Sequence, residues 1–169
     1  MKKVLALVLV MMMAFCISAM AEETPVLGFL PPAMTSPFYA SCIEGAQPVA
    51  DALGYELKVL APPSEDDYAT QTSMMEDFIT QGVAGIAVCG INLEALKPAI
   101  TKANEAGIPV VMFNTITELE GVDVYAYSGY NQYNGGAKIA DWVNEQTGGT
   151  AKVAIIEGTP SDYTTQRMG

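Results

Sequence analysis

Three short clusters of polar and aromatic residues follow directly on apolar runs of this chain. Ser36-Pro37-Phe38-Tyr39 comes after Val26–Leu30, and Asn114-Thr115-Ile116-Thr117 comes after Pro109–Phe113. Asp162, Tyr163, Gln166 and Arg167 come after Val153–Ile156. Hydroxyls, amides, one guanidinium and aromatic rings hydrogen-bond uncharged hydroxyls and stack on C–H faces. They suit a neutral, polyhydroxylated ligand, and none of them is an activated nucleophile. The chain has no histidine. A Ser-His triad, a His-ligated zinc and a His proton relay are therefore excluded within it.

Other constellations are missing as well. The sequence contains no Gly-x-Ser-x-Gly elbow, no Gly-x-Gly-x-x-Gly after its first apolar run and no Gly-x-x-x-x-Gly-Lys loop. Glu65-Asp66-Asp67 reads as a solvated helix start complementing the helix dipole rather than as paired catalytic carboxylates. Glu118 and Glu120 read as loop charges, and no acids or thiols stand at metal-ligand spacing. The expectation is a binding protein, not an enzyme, with no cofactor and no metal.

The elements that must position these clusters follow from apolar periodicity. Val26–Leu30 reads as a strand. Phe38, Cys42, Val49 and Leu53, with Ile43 and Ala46 alongside, recur at helical spacing up to Gly54, a left-handed cap. Leu57–Ala61 is the next strand. Ser64, with Asp67 three residues on, reads as the start of a helix whose inner face is Thr72, Met75, Phe78 and Ile79 and which ends at Gly82. Gly85–Cys89 is a strand. Leu96, Ala99, Ile100, Ala103 and Ala106 form one helical face before Gly107. Pro109–Phe113 and Val124–Tyr127 are strands, Gln132–Thr147 is a helix stopped by Gly148-Gly149, and Val153–Ile156 is a further strand. Strands apolar on both faces, alternating with helices, predict an α/β fold: a doubly wound parallel sheet with flanking helices. Ligands of such sheets bind beyond the carboxyl ends of the strands, where the three clusters lie. Phe38 is open between ligand stacking and helix core. Tyr125, Tyr127, Tyr130 and Tyr133 read as packing at a sheet end.

Met1–Ala21 has its own logic. Lys2-Lys3, an apolar run over Val4–Ile17 and Ala19-Met20-Ala21 form a secretory signal pattern. As a helix the run spans about 21 Å, short of a hydrocarbon core of about 30 Å. Its removal takes the formal charge from −11 to −13, because two of the 8 basic residues leave and all 19 acids stay. That balance excludes nucleic acid as a partner. Cys42 and Cys89 remain, and both read as small buried hydrophobes rather than as a disulfide.

From Val26 to Gly169 the sequence resembles the periplasmic sugar-binding proteins of the ribose/galactose type, receptors of ABC importers. The ordered set that carries the likeness is Ser36–Tyr39, Glu44-Gly45-Ala46, Gln81-Gly82-Val83, Lys102–Val111, Tyr127–Asn131 with Gly135-Gly136, and Gly158–Arg167. Lys102–Val111 is its most specific stretch. The resemblance implies two α/β lobes that close on a sugar like a hinged clamp and are read by a membrane permease. It implies ligand contacts at Ser36, Phe38, Tyr39, Asn114 and Thr115. Arg167 is the matching arginine of the last loop, with Gln166 as its rival and Tyr163 as a further candidate. Asn114 leans galactose-like, while Thr115 removes the charged partner found in relatives.

The resulting expectation is an exported, periplasmic or cell-envelope monomer that captures a monosaccharide or similar polyol for an ABC importer. Residues 1–21 are the signal, 22–127 the first lobe, and 128–169 the crossover and the beginning of a second lobe left incomplete. A truncated clamp of this kind is expected to bind sugar weakly or not at all. The alternatives are a periplasmic sensor subunit presenting a small signal such as autoinducer-2 to a histidine kinase, and an exported enzyme on the same fold class. A repressor of related fold would need a helix-turn-helix and basic character, which the sequence lacks.

Overall fold

The computed structural model describes residues 24–156, 158, 165, 167 and 168. The signal-like segment 1–21 and the candidates Tyr163 and Gln166 lie outside the described residues. The chain runs β1 (Val26–Leu30), α1 (Pro37–Ala52), β2 (Glu56–Val59), α2 (Tyr68–Gln81), β3 (Gly85–Val88), α3 (Leu93–Glu105), β4 (Val110–Phe113), β5 (Ala126–Ser128) and α4 (Gln132–Thr147). The strands form one sheet in the order β2-β1-β3-β4-β5. Every pairing is parallel, with Gly28 opposite both Lys58 and Ile86. The alternating pattern thus yields the doubly wound sheet it implies.

The order reverses once. From β1 the chain steps outward to β2, then crosses back to β3 and continues to β4 and β5. Right-handed crossovers place the helices before and after that reversal on opposite faces. The crevice of such a sheet opens where the order reverses, beyond the carboxyl ends of β1 and β3.

The larger core lies under α2 and α3, which pack on each other. Phe78, Met75, Leu96, Ile100, Val110 and Met112 are fully buried there. Each such side chain contributes about 1.5–3 kcal/mol by leaving water. Gly28 is required by this packing, since a Cβ on it would stand 2.8 Å from the Phe78 ring.

Several local expectations are corrected. The buried side of α1 is Tyr39 and Ala50, with Ile43 and Ala46 partly covered, while Phe38, Val49 and Leu53 are half or more exposed. The helix is rotated by about one residue, because the Tyr39 ring turns inward onto Phe113. Helix α2 starts at Tyr68 with Asp67, not Ser64, as its cap, the Asp67 carboxylate accepting from Thr70 N at 3.0 Å. Its inner face carries Gln71 where Thr72 was expected, since Gln71 finds two backbone partners in the core. Ala106 is exposed, as it caps α3 rather than extending it. Val153–Ile156 is irregular and exposed rather than a strand. A parallel strand needs a neighbour for its N–H and C=O groups, and no strand among the described residues pairs with it.

Candidate functional site

The loop after β1 is buried through Ala33 and then emerges at Met34. Ser36 caps α1, its Oγ accepting from Phe38 N at 3.3 Å, and Pro37 supplies the first helical residue, where a missing N–H costs nothing. This start fixes two rings in succession. Phe38 is 50% exposed, whereas Tyr39 is buried. Their rings meet edge to face at 5.2 Å, Tyr39 meets Phe113 at 6.5 Å, and Phe113 stacks on Phe29 at 4.7 Å. The aromatic series runs from the sheet to the surface and ends on Phe38.

Cys89 follows β3 and sits between two of the predicted residues. Its sulfur lies 4.0 Å from the Tyr39 hydroxyl and receives Nδ2 of Asn114 at 3.8 Å. Burial pushes its thiol up to about 12, and the bonds from Asn114 and Tyr39 offset part of that. Cys42 and Cys89 are both free thiols. Gln71 braces the same strand end, donating to the Cys89 carbonyl and accepting from Ile91 N, both at 2.9 Å.

After β4, Asn114 adopts the left-handed conformation at φ 63. Asparagine tolerates this region better than most residues. Asn114 N donates to Ser128 O at 2.7 Å, and Asn114 O accepts from Gln132 Nε2 at 2.8 Å. Thr115 is buried, with its hydroxyl accepting from Thr117 N at 3.0 Å. The β4 and β5 loops touch backbone to backbone here, and a Cβ on Gly129 would fall 2.3 Å from Thr115 N.

Arg167 reaches this region from the far end of the chain. Its Nε donates to Gln132 Oε1 at 2.7 Å, and its guanidinium carbon lies 6.0 Å from the Tyr130 ring centroid, the outer range of a cation–π contact. Ser36, Phe38, Tyr39, Asn114, Thr115 and Arg167 are thus gathered along the carboxyl edge of the sheet. Cys89 and Gln132 stand between them and were missed by sequence reasoning. The position of Cys89 directly after β3 was the available signal, overshadowed by its small apolar character. Of the tyrosines, Tyr127 does pack on the core and accepts from Leu119 N at 2.9 Å, while Tyr125, Tyr130 and Tyr133 are exposed.

A cavity of about 830 Å³ lies between α4 and the segment from Ala151 to Gly158, with Ile139, Val143, Val153 and Ile155 in its walls. Its lining is mostly apolar, and Arg167 is the one described candidate that touches it, so it does not fit a hydroxyl-rich ligand. Among the described residues no group of three or more His, Cys, Asp or Glu could hold a metal ion, and no helix is long and apolar enough to cross a membrane.

A doubly wound parallel sheet with neutral polar loops and an exposed ring at its switch-point edge defines an α/β lobe of the kind whose ligands lie beyond the strand ends. Comparison with known proteins makes this specific: the periplasmic binding protein domain matches residues 27–168, and the chain belongs to that family. The chain is 31% identical over 136 residues to the ribose import binding protein RbsB of Bacillus subtilis, covering 80% of this chain and 43% of that protein. RbsB of Haemophilus influenzae is 27% identical over 169 residues, covering 56% of its length. The chain therefore spans about half the length of the curated relatives it matches. Among solved structures, a solute-binding protein from Actinobacillus succinogenes with bound D-allose superposes at a TM-score of 0.74 with 28% identity, over 85% of this chain and 52% of that one. One from Burkholderia graminis in complex with D-arabinose gives 0.77 with 25% identity, over 85% and 49%.

Proposed function

We propose that this chain carries the first lobe, residues 22–127, and the opening of the second lobe, 128–169, of an exported receptor that captures a neutral monosaccharide or similar polyol for an ABC importer. The observation that carries the reading is the edge itself. A half-exposed ring, Phe38, stands at the end of an aromatic series whose inner member, Tyr39, shares the Cys89 sulfur with the Asn114 amide. A ring for a C–H face and an amide for hydroxyls are what such a ligand needs.

Ser36, Phe38, Tyr39, Asn114 and Thr115 are proposed for the first-lobe side of the ligand, with Arg167, Gln166 and Tyr163 on the other. Relatives bound to D-allose and D-arabinose, and those named for ribose import, support a sugar over a charged solute. Residues 1–21 direct export to the periplasm or cell envelope. The receptor works as a monomer and passes its sugar to a membrane permease. It acts by binding, with the ligand shifting the equilibrium of the two lobes toward the closed form.

A thermal-shift screen of the full-length mature receptor tests this, using D-ribose, D-allose, D-arabinose, myo-inositol and autoinducer-2 alongside amino acids and carboxylates. A ligand at a hundred times its Kd adds about 2.7 kcal/mol of stability. A shift with a sugar or inositol is expected. A shift with amino acids or carboxylates and with none of the sugars would overturn the reading.

A further inference from the structure

We propose that Gln132 is a positioning residue that couples the Asn114 loop to Arg167, and through them sets how tightly the ligand is held. Only its effect on affinity rests on the sugar-receptor reading. Gln132 is the first residue of α4 and is 1% exposed, so its amide is committed to protein partners. Both ends of that amide are used: Nε2 donates to Asn114 O at 2.8 Å and Oε1 accepts from Arg167 Nε at 2.7 Å. The stem is anchored where it starts, because Asn131 caps α4 by accepting from Asn134 N at 2.9 Å.

The chemistry dictates the residue type. A primary amide donates at one end and accepts at the other. Facing Nε2 toward a carbonyl forces Oε1 toward a donor, so the two bonds orient each other. The carbonyl that receives Nε2 belongs to Asn114, whose left-handed backbone makes the peptide sensitive to its supports. A shift of Arg167 is thereby felt at the Asn114 peptide, and through its Nδ2 at Cys89. A glutamate of the same length would accept from Arg167 but, ionised, could not donate to Asn114. A methionine would fill the space and do neither.

The test uses the full-length mature receptor with Gln132→Met and Gln132→Glu. Two readouts need no ligand: hydrogen exchange of the Asn114 and Thr117 amides, and the Arg167 Nε–H resonance. In Gln132→Met those amides are expected to exchange about tenfold faster, and the Arg167 signal to broaden or vanish. Gln132→Glu at neutral pH is expected to speed exchange at Asn114 while keeping the Arg167 signal. That split is one a merely structural role would not produce, and this variant decides the matter if the methionine variant does not fold. Exchange and signal both unchanged in a folded variant would overturn the coupling. Calorimetry with D-ribose, D-allose and D-arabinose reads the consequence: whichever of them the parent binds should bind Gln132→Met about tenfold more weakly. Unaltered affinity there would overturn the proposed control of binding. A parent that binds none of the three would sink the sugar reading, while exchange and the Arg167 signal still decide the coupling.

Discussion

The Nδ2 group of Asn114 donates to the sulfur of Cys89 across 3.8 Å, joining the carboxyl ends of β4 and β3 through a weak acceptor. The bond orients the Asn114 amide by its nitrogen. Tyr39 approaches the same sulfur from α1 at 4.0 Å, so three separate elements converge on one buried atom.

Removing the Asn114 side chain should therefore cost ligand affinity more than stability. Asn114→Gly is the clean variant, because glycine accepts a φ of 63 without strain. Its denaturation midpoint should stay near that of the parent, while sugar affinity falls by about 1–3 kcal/mol. Calorimetry on the full-length receptor decides, and unchanged affinity removes Asn114 from the site.

Gly129→Ala should damage the fold directly. The new Cβ would collide with the backbone at Thr115, which cannot rotate away as a side chain could. A loss of at least about 2–3 kcal/mol is expected from such overpacking, read from urea unfolding.

Gln71 is a purely structural counterpart. Replacing it by leucine keeps the volume but leaves the Cys89 carbonyl and the Ile91 N–H without their side-chain partner. The expected cost is about 2–4 kcal/mol, from two buried polar groups left without that partner. A loss below about 0.5 kcal/mol would show that water takes over both bonds.

The buried thiol makes stability depend on alkaline pH. Native Cys89 holds its proton to about 12, whereas an unfolded thiol releases it near about 8.5. Between those values the unfolded state binds fewer protons, so stability falls as pH rises through the window. Unfolding midpoints at pH 8 and pH 10 should drop less in Cys89→Ala than in the parent. Alkylation at pH 8.5 should label Cys42, which is partly exposed, before Cys89.

Local pattern decided a large part of this protein. Helix α4 was legible to the residue, from Gln132 to Thr147 and the Gly148 stop, because a glycine ends a helix within one turn of the chain. The five strands and their parallel pairing followed from apolar runs separated by helices, since a strand buried on both faces must be apolar throughout. The loops holding Ser36, Phe38, Asn114 and Thr115 were legible for the same reason, as they are whatever comes after each run.

Tertiary structure decided what side chains do once the elements meet. Tyr39 rather than Phe38 turned inward because Phe113 and Cys89, far away in sequence, offered it an edge contact and a polar neighbour. Gln71 and Gln132 look like ordinary polar helix residues in the sequence. Each became buried because its amide met backbone groups 18 to 20 positions away and bonded them. Val153–Ile156 shows the converse: its composition suits a strand, but a strand exists only when another supplies its hydrogen bonds. Periodicity reports which face of a segment avoids water. Which polar group accompanies it into the core depends on long-range partners, and those are fixed only when the chain has folded.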